Sequence, residues 1–139
     1  MRVVLDTNVL LQMLPRRSRF RPIFDALVTG QLQLVVSTSI LLEYAEILEQ
    51  KTSAPVSANV LGLLSNLPGT HFLEVYYRFR LPYADPDDQK FVDAYVAGNA
   101  EYLVSNDRHL TGLGGAGFPA VRVVAAEAFL ELLPQQLLR

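Results

Sequence analysis

Met1-Arg2-Val3-Val4-Leu5-Asp6 opens the sequence, and its reading sets the fold. Val3 to Leu5 is a short apolar run, rich in β-branched residues, that stops at an acid. That pattern is a buried strand with a carboxylate at its carboxyl end. Further along, Phe20, Ile23, Phe24 and Leu27 follow helical spacing, and Gly30 supplies a stop. Leu32 to Val36 reads as a second strand. Ser37, Thr38 and Ser39 offer N-caps for a helix from about Ile40 to Gln50. Pro55 and Ser57 open another helix running to about Leu64, and Phe72 to Val75 reads as a short strand. Tyr83-Ala84-Asp85-Pro86-Asp87-Asp88 is a loop entering a helix that ends near Gly98. Tyr102 to Val104 and Val121 to Val124 are two further strands, and Ala125 to Leu133 is a closing helix. Apolar strands separated by helices imply an α/β fold in three layers, a central parallel sheet flanked by helices. Neither an internal repeat nor a long linker interrupts the pattern, so residues 1–139 are expected to form one domain.

Composition narrows the chemistry. Half of the 139 residues are hydrophobic and 19% are charged, enough apolar surface to offset the entropy of ordering. There are no cysteines and only two histidines, His71 and His109. Thiolate sites are excluded and zinc is disfavoured; oxygen ligands favour Mg²⁺ or Mn²⁺. The opening apolar run is too short for a signal peptide, and the sequence has no apolar stretch of spanning length. The expectation is a soluble cytoplasmic protein outside the membrane. The net charge of −2 argues mildly against nucleic acid as a partner, a balance that local basic clusters override.

Four acids stand where solvation alone would not put them. Asp6 ends the first strand, and Asp107 follows the strand Tyr102-Leu103-Val104 after Ser105 and Asn106. In open α/β sheets the carboxyl ends of strands line the ligand crevice, although acids there also serve as helix caps. Glu43 lies three residues after Ile40 and four before Ile47, inside the apolar stripe Ile40, Tyr44, Ile47 and Leu48, while Glu46 and Glu49 fall on the opposite, solvated side. An inward carboxylate needs a compensating partner; a salt bridge to an arginine is the plain alternative to a site. Asp88 shares a helix face with Val92 and Tyr95, whereas Asp85 and Asp87 read as helix-start acids. Asp93 reads as solvated, with an outer-sphere acid as the other reading. Carboxylates gathered in one pocket repel one another, and a divalent cation relieves this while activating water against a phosphodiester. Asn8, Ser39, Ser105 and Asn106 are polar neighbours able to orient ligands.

Val4-Leu5-Asp6-Thr7-Asn8-Val9-Leu10, Ser37-Thr38-Ser39-Ile40-Leu41-Leu42-Glu43-Tyr44, Asp85-Pro86-Asp87-Asp88-Gln89-Lys90-Phe91 and Tyr102-Leu103-Val104-Ser105-Asn106-Asp107-Arg108-His109-Leu110 occur in that order. Together they resemble the PIN domain (PilT N-terminus) nucleases across nearly the whole chain, and among these the toxin components of toxin–antitoxin systems. The resemblance implies that Asp6, Glu43, Asp88 and Asp107 are the family's acidic quartet, which binds Mg²⁺ or Mn²⁺ and cuts RNA. Where the family has Thr or Ser before its last acid, this sequence has Asn106, preceded by Ser105. The resemblance also implies an antitoxin protein and a homodimer as partners.

Arg16, Arg17, Arg19 and Arg21 crowd the segment after the first strand, where they could hold RNA phosphates or face solvent or an antitoxin. Arg78, Arg80, Lys90 and Arg108 could extend that surface, and Tyr83 could stack on a base. The glycine-rich run Thr111 to Gly117 lacks the ending of a phosphate loop and reads as a connection. Leu61, Leu63, Leu64, Leu132, Leu133, Leu137 and Leu138 are more leucines than two peripheral helices need, as at an interface. Two other readings compete with a metal-dependent endoribonuclease. One is a receiver-like Mg²⁺-binding regulatory domain; the other is a silent PIN-like module that only binds RNA or protein.

Overall fold

The computed structural model describes residues 1–74, 86–111 and 121–137. In chain order the elements are β1 (Arg2–Leu5), α1 (Thr7–Met13), α2 (Arg21–Val28), β2 (Gln33–Ser37), α3 (Thr38–Lys51), α4 (Ala54–Ser65), β3 (His71–Leu73), α5 (Pro86–Ala97), β4 (Tyr102–Val104), α6 (Arg108–Thr111), β5 (Val123–Val124) and α7 (Ala126–Leu137). The strands form one parallel sheet in the order β3-β2-β1-β4-β5, flanked by helices.

β1 is the centre of the sheet because both its faces are apolar: Val3, Val4 and Leu5 are fully buried. Val3 sits level with Leu34 on one side and Tyr102 on the other. From β1 the chain turns outward to β2 and β3; from β4 it turns the opposite way to β5. The strand order therefore reverses between β1 and β4, and the crevice at their carboxyl ends is where such sheets place ligands. Receiver-like domains carry the order 2-1-3-4-5, so this topology sets that alternative aside.

Two helices were not anticipated from the sequence. α1 starts directly after Asp6 and buries Val9, Leu10 and Met13, a short one-sided stripe hidden in what reads as the tail of the first strand. α6 is a single turn after Asp107. β3 is His71–Leu73, and its Phe72 is exposed at the sheet edge; Val75 lies outside the described residues. β5 is confined to Val123–Val124. α3 begins as expected, with the Ser37 hydroxyl accepting from the Ile40 amide at 3.3 Å.

The core joins these layers. Tyr44, Phe91 and Phe129 are its largest buried side chains. The Tyr44 hydroxyl donates to the Leu5 carbonyl and so fixes α3 against the end of β1. At the end of α5, Gly98 allows close approach: a Cβ there would come within 2.5 Å of Val35 and 2.8 Å of the Ala94 carbonyl. Among the described residues the leucines do not form the broad exposed patch that their number suggested. Leu64 and Leu133 are buried in the core, and Leu61 and Leu132 pack against it, leaving Leu63 exposed at 40%. Leu138 and the side chain of Leu137 lie outside the described residues. Among the described residues no helix is long and apolar enough to cross a membrane.

Candidate active site

Asp6 is the residue that leaves β1 and precedes α1. Its amide donates to the Val104 carbonyl at 3.0 Å, and its carbonyl accepts from Leu10 at 3.1 Å, so the backbone is pinned at both ends. The carboxylate is nearly buried. Ser105, fully buried at the end of β4, donates its hydroxyl to Asp6 Oδ2 at 2.6 Å and accepts the Asp107 amide at 3.0 Å. One hydroxyl thus ties the acid after β1 to the acid after β4.

Glu43 enters from α3, from the inward stripe that its spacing gave. The Thr7 hydroxyl donates to its Oε2, and Lys90 Nζ lies 2.7 Å from its Oε1. The compensating cation is a lysine from α5 in place of the arginine considered above. Both members of the pair are 22% exposed. Asp88 is half-buried in the first turn of α5, two residues ahead of Lys90. Lys90 reaching Glu43 brings that turn toward the same end of the sheet.

The charges interact. Burial pushes the Asp6 carboxyl above the ordinary carboxylate range; hydrogen bonds from Ser105 and the Thr7 amide pull it down, and the negative charges of Glu43 and Asp107 push it up again. Tyr44 is raised well above a free phenol by complete burial, then by Asp6 and Glu43. Asp6, Glu43 and Asp107 therefore occupy one electrostatic pocket. The oxygens that Asp6, Glu43, Asp107, Ser105 and Thr7 bring to it are carboxylates and hydroxyls, which suit a hard divalent cation. Among the described residues no three acidic or histidine side chains are grouped closely enough, as they stand, to hold one ion.

The polar neighbours divide. Ser105 is central. Asn106 acts elsewhere, accepting the Ala126 amide at 3.0 Å at the start of α7 and donating to Gln12 at 3.2 Å. Asn8 and Ser39 are exposed; their neighbours Thr7 and Ser37 make the buried contacts. Asp93, expected to be solvated, is buried at 4% and accepts from Gln89 at 2.8 Å, because α5 turns this face toward the sheet.

The arginines divide too. Arg19 pairs with Glu127 at 2.9 Å, an exposed contact. Arg21 donates to the Leu14 carbonyl, lies 3.5 Å from Asp25 and stacks 3.9 Å above the Phe24 ring. Arg16 and Arg17 are exposed in the turn between α1 and α2. Arg78, Arg80, Tyr83, Asp85 and residues 112–117 lie outside the described residues, as do the side chains of Asp87, His109 and Thr111. Thr7 and Lys90 were missed as members of the site. Thr7 was hidden with the unexpected α1, and nothing local in the sequence pairs Lys90 with an acid 47 residues away.

The sequence model described as PIN domain matches residues 2–109, most of the chain and the whole of this pocket. This chain belongs to the PIN domain family. No curated protein matches it. Among solved structures, this PIN domain is similar to VapBC2 from Rickettsia felis bound to a DNA fragment from their promoter. The TM-score is 0.61 at 13% identity, over 90% of this chain and 98% of that one. It is also similar to DNA-bound VapBC from Salmonella typhimurium, with a TM-score of 0.56 at 16% identity, over 91% and 98% of the two chains. At these identities the likeness concerns the fold of the PIN domain.

Proposed function

We propose that this PIN domain is a metal-dependent endoribonuclease that hydrolyses RNA phosphodiester bonds, acting as the toxin of a type II toxin–antitoxin pair. The observation that carries the reading is the Ser105 bridge between Asp6 and Asp107, with Glu43 in the same electrostatic pocket at the point where strand order reverses. Asp6, Asp107, Glu43 and Asp88 would hold Mg²⁺ or Mn²⁺. When bound, such an ion supplies Lewis-acid charge at the scissile phosphate and lowers the pKa of a coordinated water. Asp6 at the end of β1 and Asp107 three residues after β4 would supply carboxylates from neighbouring positions in the sheet. Ser105 fixes the rotamer of Asp6, and Thr7 that of Glu43.

RNA as substrate is supported by the family resemblance and by the exposed Arg16 and Arg17 in the turn that follows α1. Both solved relatives are VapBC assemblies on DNA, which supports an antitoxin as partner. A homodimer is expected as well, and light scattering at micromolar concentration tests it: a monomer mass throughout removes it and leaves the nuclease reading untouched. Activity is tested with purified protein on single-stranded RNA. Cleavage should require Mg²⁺ or Mn²⁺ and stop with EDTA. Asp6→Asn should slow it by at least about a hundredfold, given several kcal/mol of charge stabilisation at stake. Equal cleavage by wild type and variant would reject the assignment.

A further inference from the structure

Lys90 is the member of the pocket that an acidic cation site does not itself require. Its ammonium sits 2.7 Å from Glu43 Oε1, while the Thr7 hydroxyl takes Oε2. Both oxygens of Glu43 are thus engaged within the chain. The pair bridges α3 and α5 and is largely shielded from water. An ammonium at this position neutralises one negative charge of the pocket, which is also what a divalent cation drawing on Glu43 would do. The two cations would compete for the same oxygen and repel each other at ligand distance. A lysine suits such a role: its charge is compact and its four-carbon stem lets it move aside without backbone change.

Resting on the metal-site reading above, we infer that Lys90 is a positioning residue serving as an intramolecular counter-ion. It pins Glu43 while the site is free of metal, and it must release Oε1 for Glu43 to become a ligand, so that Lys90 sets the metal affinity. The competing role is a permanent strut between α3 and α5.

The two roles separate in Mn²⁺ titrations of the full chain by calorimetry, read beside melting temperatures in EDTA and in saturating Mn²⁺. As a counter-ion, Lys90→Met lowers the metal-free melting temperature but tightens Mn²⁺ binding roughly tenfold, the equivalent of one charge-assisted hydrogen bond no longer broken on binding. The melting gain from Mn²⁺ then exceeds that of wild type. Lys90→Arg moves the other way. Its guanidinium grips a carboxylate with two parallel hydrogen bonds, so Mn²⁺ binding weakens although the positive charge is kept. A strut predicts loss of stability equally with and without metal in Lys90→Met, unchanged affinity, and rescue by arginine; that pattern overturns the inference. If Lys90→Met does not fold, Lys90→Arg alone decides, since wild-type affinity in that variant also overturns it. Failure of wild type and both variants to bind Mn²⁺ removes the metal site and this role together. Binding by wild type with no change in the variants removes only the role of Lys90.

Discussion

Ser105 donates its hydroxyl to the Asp6 carboxylate at 2.6 Å. The same oxygen receives the Asp107 amide, so this contact holds together the ends of the two strands between which the sheet reverses its order.

Replacing Ser105 with Ala leaves β4 intact and removes both contacts. Hydrogen bonds to charged groups contribute about 1.5–3 kcal/mol, so cleavage should fall roughly ten- to a hundredfold. Ser105 also lowers the Asp6 carboxyl, so the acidic limb of the pH–rate profile should move to higher pH in the variant. Ser105→Thr, which keeps the hydroxyl, should restore most of the rate. An unshifted acidic limb in Ser105→Ala would show that Asp6 ionisation does not limit cleavage.

Asp6 weakens the metal-free fold at neutral pH. Its native carboxyl lies above its unfolded value, chiefly through burial. The native state therefore binds that proton more tightly than the unfolded chain. Below the unfolded value both states are protonated and the penalty is absent. It grows as pH rises from the ordinary carboxylate range to the raised native value and is complete above it. In EDTA, Asp6→Asn should melt above wild type at pH 7, with the gap closing toward pH 4. A constant gap across that range would assign the effect to packing.

Arg16 and Arg17 are exposed and, among the described residues, hold no ion pair or hydrogen bond, whereas Arg19 and Arg21 hold the α1–α2 connection and α7. The Arg16→Ala, Arg17→Ala double variant should weaken RNA binding and flatten its log–log salt dependence by about 1.4, or about 0.7 per lost single-strand phosphate contact. The Arg19→Ala, Arg21→Ala double variant should instead lower the melting temperature at nearly unchanged salt slope. Filter binding between 50 and 200 mM salt, on the order used for such slopes, distinguishes them.

Gly98→Ala should destabilise by about 1–3 kcal/mol, the usual range for overpacking a tight site. The added methyl meets Val35 and the Ala94 carbonyl at distances that neither can accept unmoved. Urea melts measure it; a wild-type midpoint would mean that α5 can retreat from β2.

What was legible in the sequence had a one-dimensional signature. β1 and β4 are apolar runs ending at Asp6 and near Asp107, and Glu43 breaks an inward stripe, so three acids and the parallel sheet followed from periodicity. Thr7, Lys90 and the buried setting of Asp93 were not legible, because each depends on which helix packs against which. The Gly98 approach to Val35 shows the same limit: the glycine reads as a helix stop, while its strict requirement comes from a strand more than sixty residues earlier.

The Ser105 hydroxyl and the Asp6 carboxylate are separated by 99 residues of chain. A ribosome adding roughly 5–20 residues per second needs about 5–20 s to cover that interval. During that time Asp6 has been made but its partner at the end of β4 has not. The cutting centre proposed here therefore comes together only after most of the PIN domain has been made, and a chain truncated before Ser105 should be harmless to RNA. Catalytic competence is in this sense a checkpoint on the near-complete domain.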